Sequence, residues 1–448
     1  MRREAWTLAI EALSWMEMRK LSERLALTRT VRQLRIKDAD AVRVAYRLVC
    51  ETTRRRNLID KFVNHALKPA TLDELDLGVQ AFLRLYVYLT RIARNWGKPD
   101  AKEAASMAGL TRSILGWEAL QPVEPVLGNL LTQTVRSVFE GASDEERVGL
   151  CTFHPTWFVK YCFKLFGRSQ TLVLLEANNR PLPTYITLNT LKADEKGILD
   201  KLTDEGVKTE KIEPLRNVHE VTEKKTPLSR TASHRNGLFS IQDKAGSVVA
   251  EAANPQPGMV VLDVCAAPGA VTTCLAQLMQ NKGAIYSVDY SRRRMRTWKA
   301  KTEHLGIEIA EPVIADASKP LPFKLEADVV VLDPPSTSTG TFARMPSAKW
   351  RLTPLSFGRM AELQWQMLNN CADHVKPKGT LVYTTSSIAV EENETLIERF
   401  LKWHAEYTLT EITPAIGSSG LRGLARTQRL LPHAHQCNGS FIAKLTKE

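Results

Sequence analysis

Cysteine is scarce and scattered in this 448-residue chain: Cys50, Cys151, Cys162, Cys265, Cys274, Cys371 and Cys437, with no C-x-x-C pair. An odd, dispersed set excludes a disulfide framework and a cysteine-type metal site, and reads as a reduced, intracellular protein. Long apolar runs are also missing. None approaches the roughly 18 residues a spanning helix needs, and Glu4 and Glu11 interrupt the first stretch, MRREAWTLAIEALSWM, so it is no signal peptide. Acidic residues are short: 49 Asp and Glu face 61 Lys and Arg, a net charge of +12 with pI near 9.3. That balance favours an anionic partner, RNA first, and no membrane. Repeats and low-complexity tracts are absent. What remains is an ordinary globular composition, 44% hydrophobic and 25% charged, long enough for two or three domains. A cytoplasmic, monomeric protein without a bound metal is expected.

Glycine and proline are sparse until GKP at 97–99, and the stretch before them reads as helices. Trp6, Ala9, Ile10 and Leu13 recur at helical spacing, as do Val42, Ala45, Tyr46 and Val49 after the start signal Asp38–Asp40. Leu58, Phe62 and Ala66 continue the pattern, then Leu77, Phe82, Leu85 and Leu89. Residues 1–60 hold 14 Lys or Arg against 8 Asp or Glu, and the run Arg54–Arg55–Arg56 is equally suited to gripping phosphates or forming a solvated helix face. From Glu140 to about Glu223 the pattern changes. HPTWFVKYCFKLFG predicts an amphipathic helix with Trp157, Tyr161 and Leu165 on one face, PTYITLNTL alternates like a strand, and ADEKGILDKLTDEGV predicts a helix ended by Gly206.

The stretch MVVLDVCAAPGAVTTCLAQL, Met259–Leu278, organises the remainder: an apolar strand, a tight loop and a helix, the opening of a parallel α/β sheet. Asp263 would end the strand, and Gly269 would let backbone approach a ligand at the helix start. The loop lacks the three glycines of a dinucleotide fingerprint. Three further acids follow at predicted strand ends: Asp289 after AIYSV, Asp316 after PVIA and Asp333 after VVVL. Carboxylates at successive strand ends suit a ligand with a ribose, an exocyclic amine and a cationic centre, and S-adenosylmethionine is such a ligand.

DVCAAPGAVTT, DPPSTSTG, SAKWRLTP and YTTSSIAVEENE closely resemble the signature blocks of RNA cytosine methyltransferases of the RsmB/NSUN type, and the likeness extends through HPTWFVKYCFKLFG, GLFSIQDKAGS and LLPHAHQCNGSFIAKL. It covers residues 150–448. The resemblance implies a Rossmann-like methyltransferase domain over 237–448, a small α+β RNA-recognition-like domain over 150–235 and, by pattern and position, an all-α NusB-like domain over 1–140. It implies S-adenosylmethionine as cofactor, held by Cys265, Ala266, Ala267, Pro268, Gly269, Ala270 and Val271 with Asp289, Asp316 and Asp333. The helical first domain points to small-subunit ribosomal RNA as substrate, with transfer RNA the alternative.

The departures are informative. Enzymes of this family methylate carbon 5 after a cysteine thiolate adds to carbon 6. The family's nucleophile stands in a Thr-Cys-Ser block, here Thr385–Ser386–Ser387, and its second cysteine follows Asp-Pro-Pro, here Ser336. No histidine adjoins either serine to act as base. Cys265 reads as packing behind the cofactor and Cys274 as core. Asp333, Pro334 and Pro335 suit another chemistry, in which the Asp333 carboxylate and Pro334 carbonyl aim an exocyclic amine, that of cytosine N4, at the methyl group. Ser336 stands where amino-methyltransferases usually have an aromatic. Two alternatives stay open: a catalytically inactive RNA-binding assembly factor, favoured by Val271 in place of a family lysine, and a carbon-5 enzyme with an unrecognised nucleophile.

Supporting residues follow from the same blocks. Thr187 stands near the family's basic strand position, ahead of Asn189. Lys349, Trp350 and Arg351 suit either a target-strand contact, with Trp350 stacking on a base, or core packing. Arg292, Arg293, Arg294 and Arg296 read as a solvated helix start. Gln242 and Asp243 would brace the ligand loop, and His433 and His435 read as structural.

Overall fold

The computed structural model describes residues 3–448, and the chain divides into two units, Met1–Arg180 with Phe342–Pro354, and Pro181–Thr341 with Leu355–Glu448.

The first unit is helical. Its core gathers Trp6, Ala9, Ile10, Leu13, Ala45, Val49, Leu58, Phe62, Phe82 and Leu85, the apolar faces read from their spacing. Asp38 caps the helix Ala39–Arg54 by accepting from the Asp40 N–H at 2.8 Å and the Ala41 N–H at 3.2 Å. Tyr46, by contrast, points outward, and the buried stripe of that helix runs through Ala41, Ala45, Leu48 and Thr52. The helix Thr156–Ala177 is broken at Gly167, whose φ of 72° is left-handed. It buries Phe158, Val159 and Cys162, while the expected stripe Trp157–Tyr161–Leu165 is half-buried.

The returning segment Phe342–Pro354 belongs to this unit and is pinned by polar contacts. Lys349 is fully buried and donates to the carbonyls of Arg54 at 3.1 Å and Phe153 at 2.7 Å. Trp350 donates to the Thr53 carbonyl at 2.6 Å, and Arg351 to the Lys20 carbonyl at 3.2 Å. Lys349 and Trp350 therefore serve packing. The Arg54–Arg56 run is likewise engaged. Arg54 donates to the Asn178 and Ala343 carbonyls, Arg55 pairs with Glu51, and Arg56 with Glu17 and Asp60.

The second unit holds two sheets. Strands β1 (Tyr185–Leu188), β2 (Val207–Lys211), β3 (Val218–Lys224) and β4 (Phe239–Ile241) form an antiparallel sheet in the order β2-β3-β1-β4. β1 is buried along its whole length rather than alternating, because both its faces are covered. β4 lies inside the stretch 237–448 assigned to the methyltransferase domain, yet it closes this small sheet. Three residues long, it satisfies the free edge of β1 in the register Ile186↔Ile241. Thr187 is buried and accepts from Gln242 at 2.8 Å, and Asn189 donates to the Gly237 and Leu305 carbonyls, both at 2.8 Å.

The large sheet comprises β5 (Val260–Val264), β6 (Ala284–Asp289), β7 (Ala310–Ile314), β8 (Ala327–Leu332), β9 (Val375–Thr385), β10 (Tyr407–Thr410), β11 (Ser418–Ser419), β12 (Gln428–Leu430) and β13 (Ser440–Lys447). Its order is β11-β12-β13-β9-β8-β5-β6-β7, with β10 also on β13. The run β9-β8-β5-β6-β7 is parallel, and β13 joins β9 antiparallel. The strands run outward from β5 in both directions, β6-β7 on one side and β8-β9 on the other, and this reversal of strand order opens a crevice beyond the carboxyl ends of β5, β6 and β8. No helix among the described residues is long and apolar enough to cross a membrane.

Candidate active site

The crevice is built from the turn after β5. Cys265 takes a left-handed conformation (φ 66°), and the loop closes through the Gly269 N–H donating to the Ala266 carbonyl at 2.7 Å. Gly269 has φ 97°, and a Cβ there would lie 3.0 Å from the indole of Trp298, so glycine is required on two counts. The helix Ala270–Leu278 begins directly behind it, presenting free N–H groups toward the crevice. Val271 is buried on that helix.

Three acids meet here. Asp263 is fully buried, and Thr272 donates its hydroxyl to it; the Trp298 indole N–H in turn donates to Thr272 at 2.9 Å. Burial pushes the Asp263 carboxyl up to about 7, against the Thr272 hydrogen bond, with Asp333 and Asp289 adding to the rise. Asp289 is buried too. One oxygen accepts from the Ser291 N–H at 2.9 Å, while Oδ2 lies 3.1 Å from Arg294 Nη1 without a hydrogen bond of proper geometry. Burial raises the Asp333 carboxyl to about 6, and the Arg294 charge opposes the rise. The fourth acid differs in exposure: Asp316 is exposed and accepts from the Ser318 N–H and hydroxyl, which hold its carboxyl below the ordinary value.

Arg294 corrects the reading of its run. Arg292, Arg293 and Arg296 are a solvated helix start, but Arg294 reaches back to donate to the Ala267 carbonyl and pair with Asp289. Gln242 binds Thr187, Ser247 at 3.3 Å and the Cys274 sulfur at 3.0 Å, and so braces the helix behind the loop. Asp243 caps the helix Lys244–Ala253. Cys274 is core, and burial raises its thiol and that of Cys265. His435 accepts from the Leu431 N–H at 2.8 Å, a structural contact.

The strand ends of β8 and β9 carry the two serine positions. Leu332 pairs with Tyr383, so Asp333–Ser336 and Ser386 leave adjacent strands. The Ser336 hydroxyl accepts from the Ser338 N–H at 3.3 Å, the Pro335 carbonyl accepts from Gln364 at 2.9 Å, and the Ser386 carbonyl accepts from the Gly340 N–H at 2.9 Å. Among the described residues neither serine hydroxyl is held by a histidine or carboxylate. What fixes these loops is Glu392, fully buried. Its carboxylate accepts from the Thr337 N–H and the Gln364 amide, both at 2.9 Å, from Ser387 at 2.6 Å, and from the Thr337 hydroxyl. Burial raises this carboxyl as well, opposed by those hydrogen bonds. Behind it Arg429 and Glu394 form a buried ion pair.

Sequence reasoning misses Thr272, Trp298, Gln364 and Glu392. Thr272 and Glu392 lie inside the DVCAAPGAVTT and YTTSSIAVEENE blocks, which is their only signal, whereas Trp298 and Gln364 lie in none of the blocks and meet Thr272 and Glu392 only through the fold. An orphaned buried oxygen on Asp289, a glycine cradle and a helix start suit a ligand bearing a diol and an anionic end, as S-adenosylmethionine does.

Comparison with known proteins agrees with this geometry. The model of the 16S rRNA methyltransferase RsmB/F family matches residues 250–446, and that of the ferredoxin-like domain of RsmF/B-like methyltransferases matches 154–218. The chain is 28% identical to the probable ribosomal RNA small subunit methyltransferase B of Bacillus subtilis, covering 98% of each chain. It is 30% identical to the protein of the same name from Synechocystis, covering 73% of this chain and 75% of that one. The crystal structure of PH0851 superposes with a TM-score of 0.82 at 28% identity, over 100% of this chain and 99% of that one. The chain belongs to the RsmB/F family of rRNA methyltransferases, whose methyl donor is S-adenosylmethionine.

Proposed function

We propose that this protein methylates the exocyclic 4-amino group of a cytidine in small-subunit ribosomal RNA. The observation that carries the reading is the pair Ser336 and Ser386. Both stand where family enzymes of the carbon-5 type have cysteine, and neither hydroxyl has a base beside it. A serine without a base is not a nucleophile at neutral pH. The names of the bacterial relatives favour the small subunit.

In this reading Asp289 holds the ribose hydroxyls of the donor through its orphaned oxygen, and Asp316 receives the adenine amine. The loop Cys265–Val271 and the helix start behind it receive the amino-acid end. The bound donor supplies an electrophilic methyl on sulfur. Asp333 and the Pro334 carbonyl each accept one N–H of the cytosine amine, which draws its lone pair out of conjugation and toward that methyl. The N–C bond forms as the S–C bond breaks, S-adenosylhomocysteine leaves, and the surplus proton on nitrogen passes to Asp333. A carboxyl at about 6 is charged enough to accept the amine and basic enough to take the proton. Asp333 is half-buried with only Arg294 countering, whereas Glu392 is saturated by donors, so Asp333 has capacity left for a substrate.

The test is nucleoside mass spectrometry of ribosomal RNA and small-subunit assembly intermediates incubated with protein and methyl-labelled donor. Label in 4-methylcytidine or its dimethyl form is the expected outcome. Label in 5-methylcytidine would overturn the reading. No label, together with no donor binding, would replace it with the inactive assembly factor, to which the buried Val271 in place of a lysine lends itself.

A further inference from the structure

The helix Glu23–Leu34 turns its charge outward without compensation. At 100° per residue, Arg24, Leu25, Thr28, Arg29, Arg32 and the capping residue Arg35 share one face, and all are exposed. Ala26, Leu27 and Thr30 make the buried face. The helix has a single acid, Glu23, and it is turned inward, accepting from the Ser347 N–H at 2.6 Å and hydroxyl at 2.9 Å. Among the described residues Arg24, Arg29, Arg32, Arg35 and the exposed Lys37 form no ion pair. This sets them apart from the Arg54–Arg56 run, which spends its charge internally.

A second feature lies on the same surface. Arg29 stacks over the ring of Trp15 at 3.7 Å, and the Trp15 indole N–H donates to Gln33 at 3.2 Å. The outer plane of that guanidinium is open, and such planes take an unpaired base. Residues three apart on a helix, as Arg29 and Arg32 are, stand about 5–6 Å from each other at Cβ, and each fork can take a phosphate through two N–H groups. A lipid surface would instead require an apolar face, and Leu25 is the only large apolar residue on this one.

We propose that the outward face of Glu23–Leu34 grips the phosphate backbone of the substrate RNA, with the Arg29–Trp15 stack seating one unpaired base. This rests on RNA being the substrate, though not on which atom is methylated.

The test uses the full chain with Arg24→Gln, Arg29→Gln and Arg32→Gln combined. All three side chains are exposed, so the melting temperature and the donor affinity should be unchanged. Binding of a small-subunit rRNA fragment is measured across a salt series. Each lost phosphate contact lowers the slope of log affinity against log salt by roughly 0.7–0.9, so the triple variant should lose about 2–3. Replacing the same residues by Lys should restore the slope. An unchanged slope in the Gln variant overturns the proposal, as does equally strong salt-dependent binding of anionic vesicles by the wild type and its loss in the variant. A reduced slope with no label at N4 would leave this surface standing and remove the amine reading alone.

Discussion

Two desolvated ionisable groups, the buried Lys349 and the half-buried Asp333, stand a short stretch of chain apart, and the protein treats them oppositely. Lys349, in the helical unit, is driven well below the ordinary lysine value by burial, with the Arg54 and Arg55 charges adding to the effect, yet two carbonyls accept its protons. Asp333, in the sheet unit, is pushed up to about 6 by burial, and only the Arg294 charge opposes it. Glu392 behaves like Lys349: buried, raised, and saturated by Thr337, Ser387 and Gln364. A buried charge whose hydrogen-bonding capacity is filled by protein fixes structure; one left open has capacity for a ligand. The difference, rather than burial or pKa alone, separates scaffold from site.

That comparison can be broken most directly at Asp333. Asp333→Ala should lower turnover by about 10³–10⁴-fold without lowering the melting temperature, since it removes a half-buried carboxyl that no donor satisfies; a fall in stability equal to that in activity would erase the distinction. Glu392→Ala should do the reverse first. Stranding four donors costs about 3–5 kcal/mol of stability, read by denaturant unfolding, with turnover lost only as the loops loosen. Lys349→Met keeps the apolar stem but strands two carbonyls, and should cost about 1–3 kcal/mol with donor affinity unaltered.

A pH series sharpens the same contrast. Asp333 must be charged to accept the amine, so kcat should fall as pH drops through about 6. The stability of the donor-free protein should move the other way. Asp263 and Asp333 have folded values, about 7 and about 6, above those of the unfolded chain, so their contribution is complete below the unfolded carboxylate value and lost as pH rises through 6 to 7. Denaturant unfolding between pH 5 and 8 should therefore show stability falling as pH rises. The loss is about 1.4 kcal/mol for each pH step over which one of these carboxyls is protonated in the folded chain alone, and Asp263→Asn should flatten the curve. The smallest effect belongs to Ser386→Ala, whose hydroxyl has no base: turnover should change by no more than about threefold. Abolished turnover with intact donor binding would make that serine a nucleophile.

Much of the site is legible because it is local. Gly269, Asp289 and Asp333 are tied to the turn or strand end that immediately carries them, so an apolar run followed by an acid marks them in any single window. Arg294 escapes such a window for the opposite reason. On its helix it looks like its neighbours Arg293 and Arg296, and only the fold brings the Ala267 carbonyl and Asp289 within its reach. Asp316 matches the other acids in its strand-end position but follows the outer strand β7, and it is exposed where they are buried or half-buried.

What the sequence determined by itself was each element that nearest neighbours decide: the helical first unit, the strand-loop-helix at 260–278, the acids at strand ends and the serines at 336 and 386. Tertiary structure alone decided how each charge is spent. It consumed Arg54–Arg56 and Lys349 in packing, freed the Glu23–Leu34 face by turning its one acid inward, moved β4 into the small sheet, and filled Glu392 while leaving Asp333 open. The reason is physical: hydrogen bonds and desolvation depend on which groups meet across long chain separations, and no local pattern encodes that meeting.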